Sequence, residues 1–194
     1  MKKLLLSIAI VFATTVATQA HNHDELTVKT KVSTVEWIGK KVTGQHNGSI
    51  NIKEGKLYVH DGVIERGKIM IDMTTIQVLD LEGEWAGKLK GHLESGDFFD
   101  VKNHEIAVFE IKKVTKGDKE KSKVDGILTI KGISHPISFD ANIEMKDGKL
   151  AAYAEVTVDR TLYDIKYGSG KFFEGLGDKM IDDNFIIKFK IAAE

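Results

Sequence analysis

Apolar and polar residues alternate along most of this chain, and that period of two is what most limits the folds open to it. Val35 and Trp37 flank Glu36, and Ile50 and Ile52 alternate with Ser49, Asn51 and Lys53. Ile69, Ile71 and Met73 stand against Lys68, Met70, Asp72 and Thr74. The pattern returns in Ala107-Phe109-Ile111, in Gly126-Leu128-Ile130, in Ile137-Phe139-Ala141-Ile143 and in Phe185-Ile187-Phe189-Ile191. Successive side chains of a strand point to opposite faces, so each run reads as a strand with one apolar face and one wet face. Glu54-Gly55, Asp61-Gly62 and Asp147-Gly148 supply turn chemistry, because Gly tolerates the positive φ of tight hairpins. A further turn is read across 132–136, from Gly132 to Pro136. Short antiparallel connections follow, and the last strand, 185–191, is placed to close the sheet and leave no unpaired edge. The expected architecture is all-β, an extended antiparallel barrel of about eight strands.

Two segments break the alternation. Trp85, Leu89 and Leu93 recur at a spacing of four with Ala86 beside them, which predicts a short helix over 83–95. Gly83, Gly87 and Gly91 lie nearly opposite that stripe, each costing about 1 kcal/mol relative to Ala in a helix interior. Such a helix depends on docking through Trp85, Leu89 and Leu93 and could loosen as a lid, unless the glycines simply face solvent. It leads into Phe98-Phe99. The second break, 159–184, holds Tyr163, Tyr167, Phe172 and Phe173 among Gly168, Gly170, Gly175 and Gly177. A loop that long in a compact domain is usually functional or disordered, and its aromatics argue for packing. The two segments are read as lids on the barrel.

The first twenty residues read as an export signal. Lys2 and Lys3 precede an apolar run from Leu4 to Ala17, with Thr18-Gln19-Ala20 as a cleavage site. The run is shorter than the ~20 residues of a bilayer span, and no Cys follows it for lipid attachment. The expectation is a periplasmic chain cleaved near Ala20 (1–20 signal peptide, 21–194 a single domain), without stable membrane insertion. His21 and His23 would then stand near a free amine, where a frayed terminus is a better reading than a metal clip. Among 194 residues there are 28 Lys+Arg and 29 Asp+Glu, with no Cys. Such balance lacks the basic excess of a nucleic-acid binder, and stability must come without disulfides. The lysines of 116–123 read as a solvated hairpin tip rather than a membrane contact.

Catalytic patterns are missing. No H-E-x-x-H or G-x-S-x-G occurs, and Gly168-Ser169-Gly170-Lys171 lacks the first Gly and the hydroxyl residue of a phosphate loop. An enzyme would need a cluster such as His92, Asp100 and His104 converging on a cleft, and the spacing offers no third partner to the histidines.

Leu93-Glu94-Ser95-Gly96-Asp97-Phe98-Phe99-Asp100-Val101, followed by Ala107-Val108-Phe109, resembles the signature of the YceI-like family. Gly126-Ile127-Leu128-Thr129-Ile130-Lys131-Gly132 through Pro136 is similar to that family's strand–turn–strand pattern. The resemblance spans roughly 33–192. It implies a lipocalin-like barrel that holds a polyisoprenoid or similar amphiphile around a hydrophobic pore, with Phe98, Phe99, Phe109, Leu128 and Ile130 at the cavity and its closure. The residues independently suggest a wider set: Trp37, Ile71, Met73, Phe139, Phe185 and Phe189 as inward wall, with Trp85, Leu89, Leu93, Tyr163, Phe172 and Phe173 in the lids. Small inward residues (Ala107, Gly126, Ala141, Ala152, Ala154) argue for space inside; the bulky ones would suit a solid core. The expected function is carriage of a lipid or other hydrophobic small molecule without chemistry. No cofactor, metal or nucleic acid is expected, and homodimerisation is left open. The alternative is a structural or interaction barrel with a filled core, acting in the envelope or a stress response.

Overall fold

The computed structural model describes residues 24–118 and 121–194, so the expected leader, His21 and His23 lie outside the described residues. The strands are β1 (Asp24–Thr27), β2 (Thr34–Lys41), β3 (Gly44–His60), β4 (Val63–Val78), β5 (Ile106–Lys116), β6 (Lys121–Ile130), β7 (Ile133–Lys146), β8 (Lys149–Asp159) and β9 (Ile181–Ala193). One helix, α1 (Gly83–Glu94), connects β4 to β5, and single 3-10 turns at Arg160–Tyr163 and Gly177–Lys179 punctuate the long connection to β9. Every pairing is antiparallel, and the β3–β4 ladder closes the sheet. β9 lies between β2 and β8, as its expected sealing role requires.

Nine strands make an eight-staved barrel because β1 and β2 share one stave. Both pair with the same edge of β3, through Leu26↔Leu57 and Val35↔Ile50, and both meet β9, through the Val28↔Ala193 bridge and Val35↔Phe189. The expected turn at Glu54-Gly55 is therefore not a turn. β3 runs straight through it with a register slip, and Gly55 leaves room for Val28, whose Cγ2 would stand 2.6 Å from a Cβ there. The Gly132–Pro136 turn is also corrected. Lys131 and Gly132, at φ 52° and 73°, form a two-residue turn pairing Ile130 with Ile133, the geometry that positive φ at both centres allows. Pro136 sits inside β7 opposite Ile127. It is tolerated because the β7–β8 ladder runs only from Asn142↔Tyr153 to Lys146↔Lys149, so no neighbour from β8 calls for its missing N–H. Asp61-Gly62 and Asp147-Gly148 turn as expected, again with both φ positive.

The outer face is polar. β7, for example, exposes Ser134, Ser138, Asp140, Asn142, Glu144 and Lys146 while its alternate residues turn inward. Among the described residues no helix is long and apolar enough to cross a membrane.

On α1 only Leu93 is buried; Leu89 is half-buried and Trp85 is 69 % exposed. The expectation that Trp85 docks the helix is thus overturned. A spacing of four drifts about 40° per step around a helix of 3.6 residues per turn, so two steps back from Leu93 the stripe has rotated off the core. Gly87 and Gly91 face open space, with no atom within 4 Å of an added Cβ.

Two glycine substitutions with opposite signs follow. Gly87→Ala gains about 0.5–1 kcal/mol in urea unfolding, since the site is open and helical. Gly126→Ala loses about 1–3 kcal/mol by overpacking, because its Cβ would lie 2.5 Å from both the Glu110 carbonyl oxygen and the Phe109 ring.

Candidate functional site: an apolar cavity beneath a composite cap

The inward residues of all eight staves enclose a cavity of about 230 Å³ to which no polar surface is presented. Of the residues expected at a ligand site, Trp37, Ile71, Met73, Leu93, Phe98, Phe99, Phe109, Leu128, Ile130, Phe139, Phe185 and Phe189 lie on its wall. Trp85, Leu89, Tyr163, Phe172 and Phe173 do not. Leu89 packs on the core behind the wall. Tyr163 is buried against His135 at 5.4 Å, with burial, and then the nearby Asp159 charge, pushing its hydroxyl pKa up to about 12. Phe172 and Phe173 are half exposed on the outside of the loop.

The cavity exists because its largest side chains lie along the wall instead of across the bore. Trp37 rests on Gly48, where a Cβ would meet the indole at 2.5 Å, and its Nε1 donates to the Gln77 carbonyl at 3.1 Å. Phe109 lies over Gly126 in the same manner. Phe109 meets Phe139 at 5.5 Å and Phe139 meets Phe189 at 5.8 Å, so rings on β5, β7 and β9 form a band. The intervening strands carry small residues there, Gly126 on β6 and Ala152 and Ala154 on β8, which let rings on alternate strands touch.

The two expected lids are one cap. α1, the turn after it and the 160–180 loop all sit at the same end of the barrel. Phe98 is held between His92, edge-on at 4.9 Å, and Tyr167, tilted at 5.7 Å, which joins the lids directly. Backbone bonds from Phe99 to Leu93 and from Val101 to Glu94 tighten the turn that aims Phe98 and Phe99 into the bore. Lys131 Nζ reaches the carbonyls of Gly96 and Asp164, tying both halves of the cap to the β6–β7 hairpin.

Arg160 pins the loop. Its guanidinium is 3 % exposed and donates to the carbonyls of Asp182, Ile165 and Ile181 at 2.9, 2.8 and 3.1 Å. Asp183 Oδ1 stands 3.8 Å away, buried and without a hydrogen bond of its own. Arg66, the other arginine, covers the Tyr58 ring at 3.9 Å. Arg160 borders the cavity, but its guanidinium is already committed to three carbonyls, and Arg66 lies over a ring on the wall's β3 strand.

The cavity lining extends to where the β2–β9 ladder slips, between Gly39↔Phe185 and Lys41↔Ile181. Gly39, Asp182 and Asn184 line it there; the latter two are exposed, and an added Cβ at Gly39 meets nothing within 4 Å. Ile137 and Val156, which also line the cavity, follow the strand alternation, whereas no sequence signal marks Gly39 or the loop residue Ile165 as lining. His92 approaches Asp97 at 3.5 Å and His104 approaches Asp100 at 3.9 Å, each with its own acid. Among the described residues no group of three or more His, Asp or Glu could hold a metal.

A family model described as YceI-like domain matches residues 26–193. No curated protein matches the sequence. Among solved structures, BcnA of Burkholderia cenocepacia superposes with a TM-score of 0.70 at 18% identity, covering 86% of this chain and 99% of that one. A polyisoprenoid binding domain from Saccharophagus degradans, implicated in plant cell wall breakdown, gives 0.63 at 10% identity over 87% and 97%. A Campylobacter jejuni YceI protein gives 0.53 at 21% identity over 100% and 99%. At such identities the likeness speaks for the fold.

Two outcomes test the pinning of the cap. Arg160→Ala, which leaves three carbonyls without their donor and Asp183 with Lys171 alone, lowers stability by about 1–3 kcal/mol in urea and makes 160–182 the first segment cut in limited proteolysis. Burial tends to raise the Asp159 pKa, but hydrogen bonds from Thr161 and Lys171 outweigh it and leave it lowered. A carboxylate with a lowered folded pKa contributes stability that is complete above its unfolded value, roughly pH 4, and fades as pH falls through the folded one. Asp159→Asn therefore reduces the loss of stability between about pH 4 and the folded pKa, read as a shallower fall of the urea midpoint on acidification.

Proposed function

From the premise that the chain belongs to the YceI-like family, we propose that it binds and carries a single-tailed amphiphile, isoprenoid or acyl, with the tail in the barrel and the head at the Gly39–Asn184 mouth. The observation that carries this reading is the apolar, unfilled bore. A filled core, as an interaction barrel would have, is contrary to that space. The name of the Saccharophagus domain, polyisoprenoid binding, points the same way.

Size narrows the ligand. The cavity is about 230 Å³, and one water-sized group takes roughly 10–15 Å³ of such space. The bore thus takes on the order of 20 groups of that size, and a methylene is about as large as a water. Transfer of each from water contributes about 0.8 kcal/mol before ordering and association costs. The head is read loosely, because no polar atom in the bore awaits it and both arginines are engaged elsewhere. The leader-like 1–20 segment supports a periplasmic setting, with cleavage near Ala20 leaving a single barrel domain, and the reading needs no covalent step.

Native mass spectrometry of gently purified protein should find a co-purifying lipid, and lipid-stripped protein should bind a homologous series of fatty acids with affinity rising by up to about fourfold per methylene. The rise should level off at about 20 carbons. Gly39→Phe, whose ring enters open space at the mouth, should keep the barrel folded and slow uptake; Phe109→Asp should abolish it. Affinity independent of chain length, with Gly39→Phe indistinguishable from the parent, would overturn the proposal.

A further inference from the structure

The cap is apolar on its outer face as well as its inner one. Trp85, Tyr167, Phe172, Phe173, Met180 and Val42 are 69, 45, 48, 50, 40 and 55 % exposed, and all belong to the capped end. The opposite end carries Asp61-Gly62, Asp147-Gly148 and the charged residues Lys116, Asp118 and Lys121 instead. Contacts connect the loop residues of this surface to one another and to the α1 face that carries Trp85. Trp85 precedes His92 by seven residues on one face of α1, and the His92 ring lies 4.5 Å from Tyr167. Lys166, next in sequence, sits 5.3 Å from the Phe172 ring. Met180 Sδ closes on Gly170, and the Met180 carbonyl accepts from the Val42 N–H at 3.2 Å. Gly39 and Asn184, where the mouth is proposed above, lie three and four residues from Val42 and Met180.

We infer that this outer face docks on a lipid bilayer, with the barrel standing mouth-down on it. The choice of a bilayer as partner rests on the tail-binding reading above: a ligand resident in a membrane can then pass from acyl layer to bore without crossing water. The composition of the surface agrees independently. Trp and Tyr with neighbouring lysines suit the headgroup level, where amphipathic rings sit and Lys stems lie along apolar surface. Soluble proteins rarely leave such a contiguous patch uncovered without an interaction to make. Its charge points to zwitterionic lipid. Lys88 beside Trp85 is paired with Glu84 at 2.7 Å, Lys166 with Asp164 at 2.6 Å, and Lys171 with Asp159 at 2.9 Å. Adsorption should therefore depend on aromatic insertion, not on attraction to anionic headgroups.

Vesicle flotation tests this. Phosphatidylcholine vesicles, with or without phosphatidylglycerol, should bind the protein within about threefold of each other, with little response to salt. Emission should shift to the blue on binding, and Trp85→Phe should remove the shift. The triple variant Trp85→Ser/Phe172→Ser/Phe173→Ser, altered only at exposed positions, should fold normally and take up a soluble fluorescent fatty acid as the parent does. Its vesicle binding should fall at least about tenfold. Tail uptake without vesicle binding would overturn the docking surface. So would binding that needs phosphatidylglycerol and is released by salt, or a triple variant that changes only the oligomeric state and so assigns the face to a second copy. Vesicle binding by a protein that takes up no tail would support docking and remove the carrier reading.

Discussion

The structure depends on two bulky side chains being laid flat. A barrel of this strand number has an interior that its own side chains can just fill, and Trp37, Phe109, Phe139 and Phe189 are large enough to do so. Gly48 and Gly126 remove the Cβ atoms that would otherwise hold the indole and the Phe109 ring away from the wall. The Gln77 carbonyl then fixes the indole from its polar edge. Large residues give the wall its hydrophobic area, small residues on the neighbouring strands give it depth, and the bore stays empty as a consequence of both. Close packing is kept within the wall, where it stabilises the fold, and relinquished only along the axis.

The cap obeys a different constraint. It must cover an apolar opening with irregular backbone, whose polar groups need partners. Arg160 satisfies three carbonyls from two segments of the chain at once, so one buried cation orders the whole 160–182 return. The planar fork of Arg suits this role in a way a Lys point charge would not. The Phe98 ring, wedged among His92, Tyr167 and Arg160, couples that return to α1. The two halves of the cap are thereby packed as one unit, and the glycines of α1 lie on its open face.

Much of this was legible in the residues. Alternation placed nearly every strand, and wherever a residue sat in a strand its parity located it on the wall, as for Phe139 and Phe185. Errors fell where a local signal competes with long-range packing. Glu54-Gly55 carries turn chemistry, yet Gly55 serves to admit Val28, which lies 27 positions earlier in the chain. Pro136 looks like a turn residue, and only the divergence of β7 from β8 explains its place in a strand. Trp85, Phe172 and Phe173 are aromatics that invite an inward reading; helix drift and the outward side of a loop settle them in solvent. The mouth proposed at Gly39 depends on a register slip between two strands far apart in sequence, which no local pattern encodes.

An empty, tail-accepting bore is the claim to which everything else is attached, and bromine can report on it directly. A crystal of lipid-stripped protein exposed to a long-chain bromoalkane should show anomalous density on the barrel axis among Trp37, Phe109 and Phe139, with the surrounding side chains in the positions described here. Side chains closed across the axis, with no bromine inside the barrel, would contradict it.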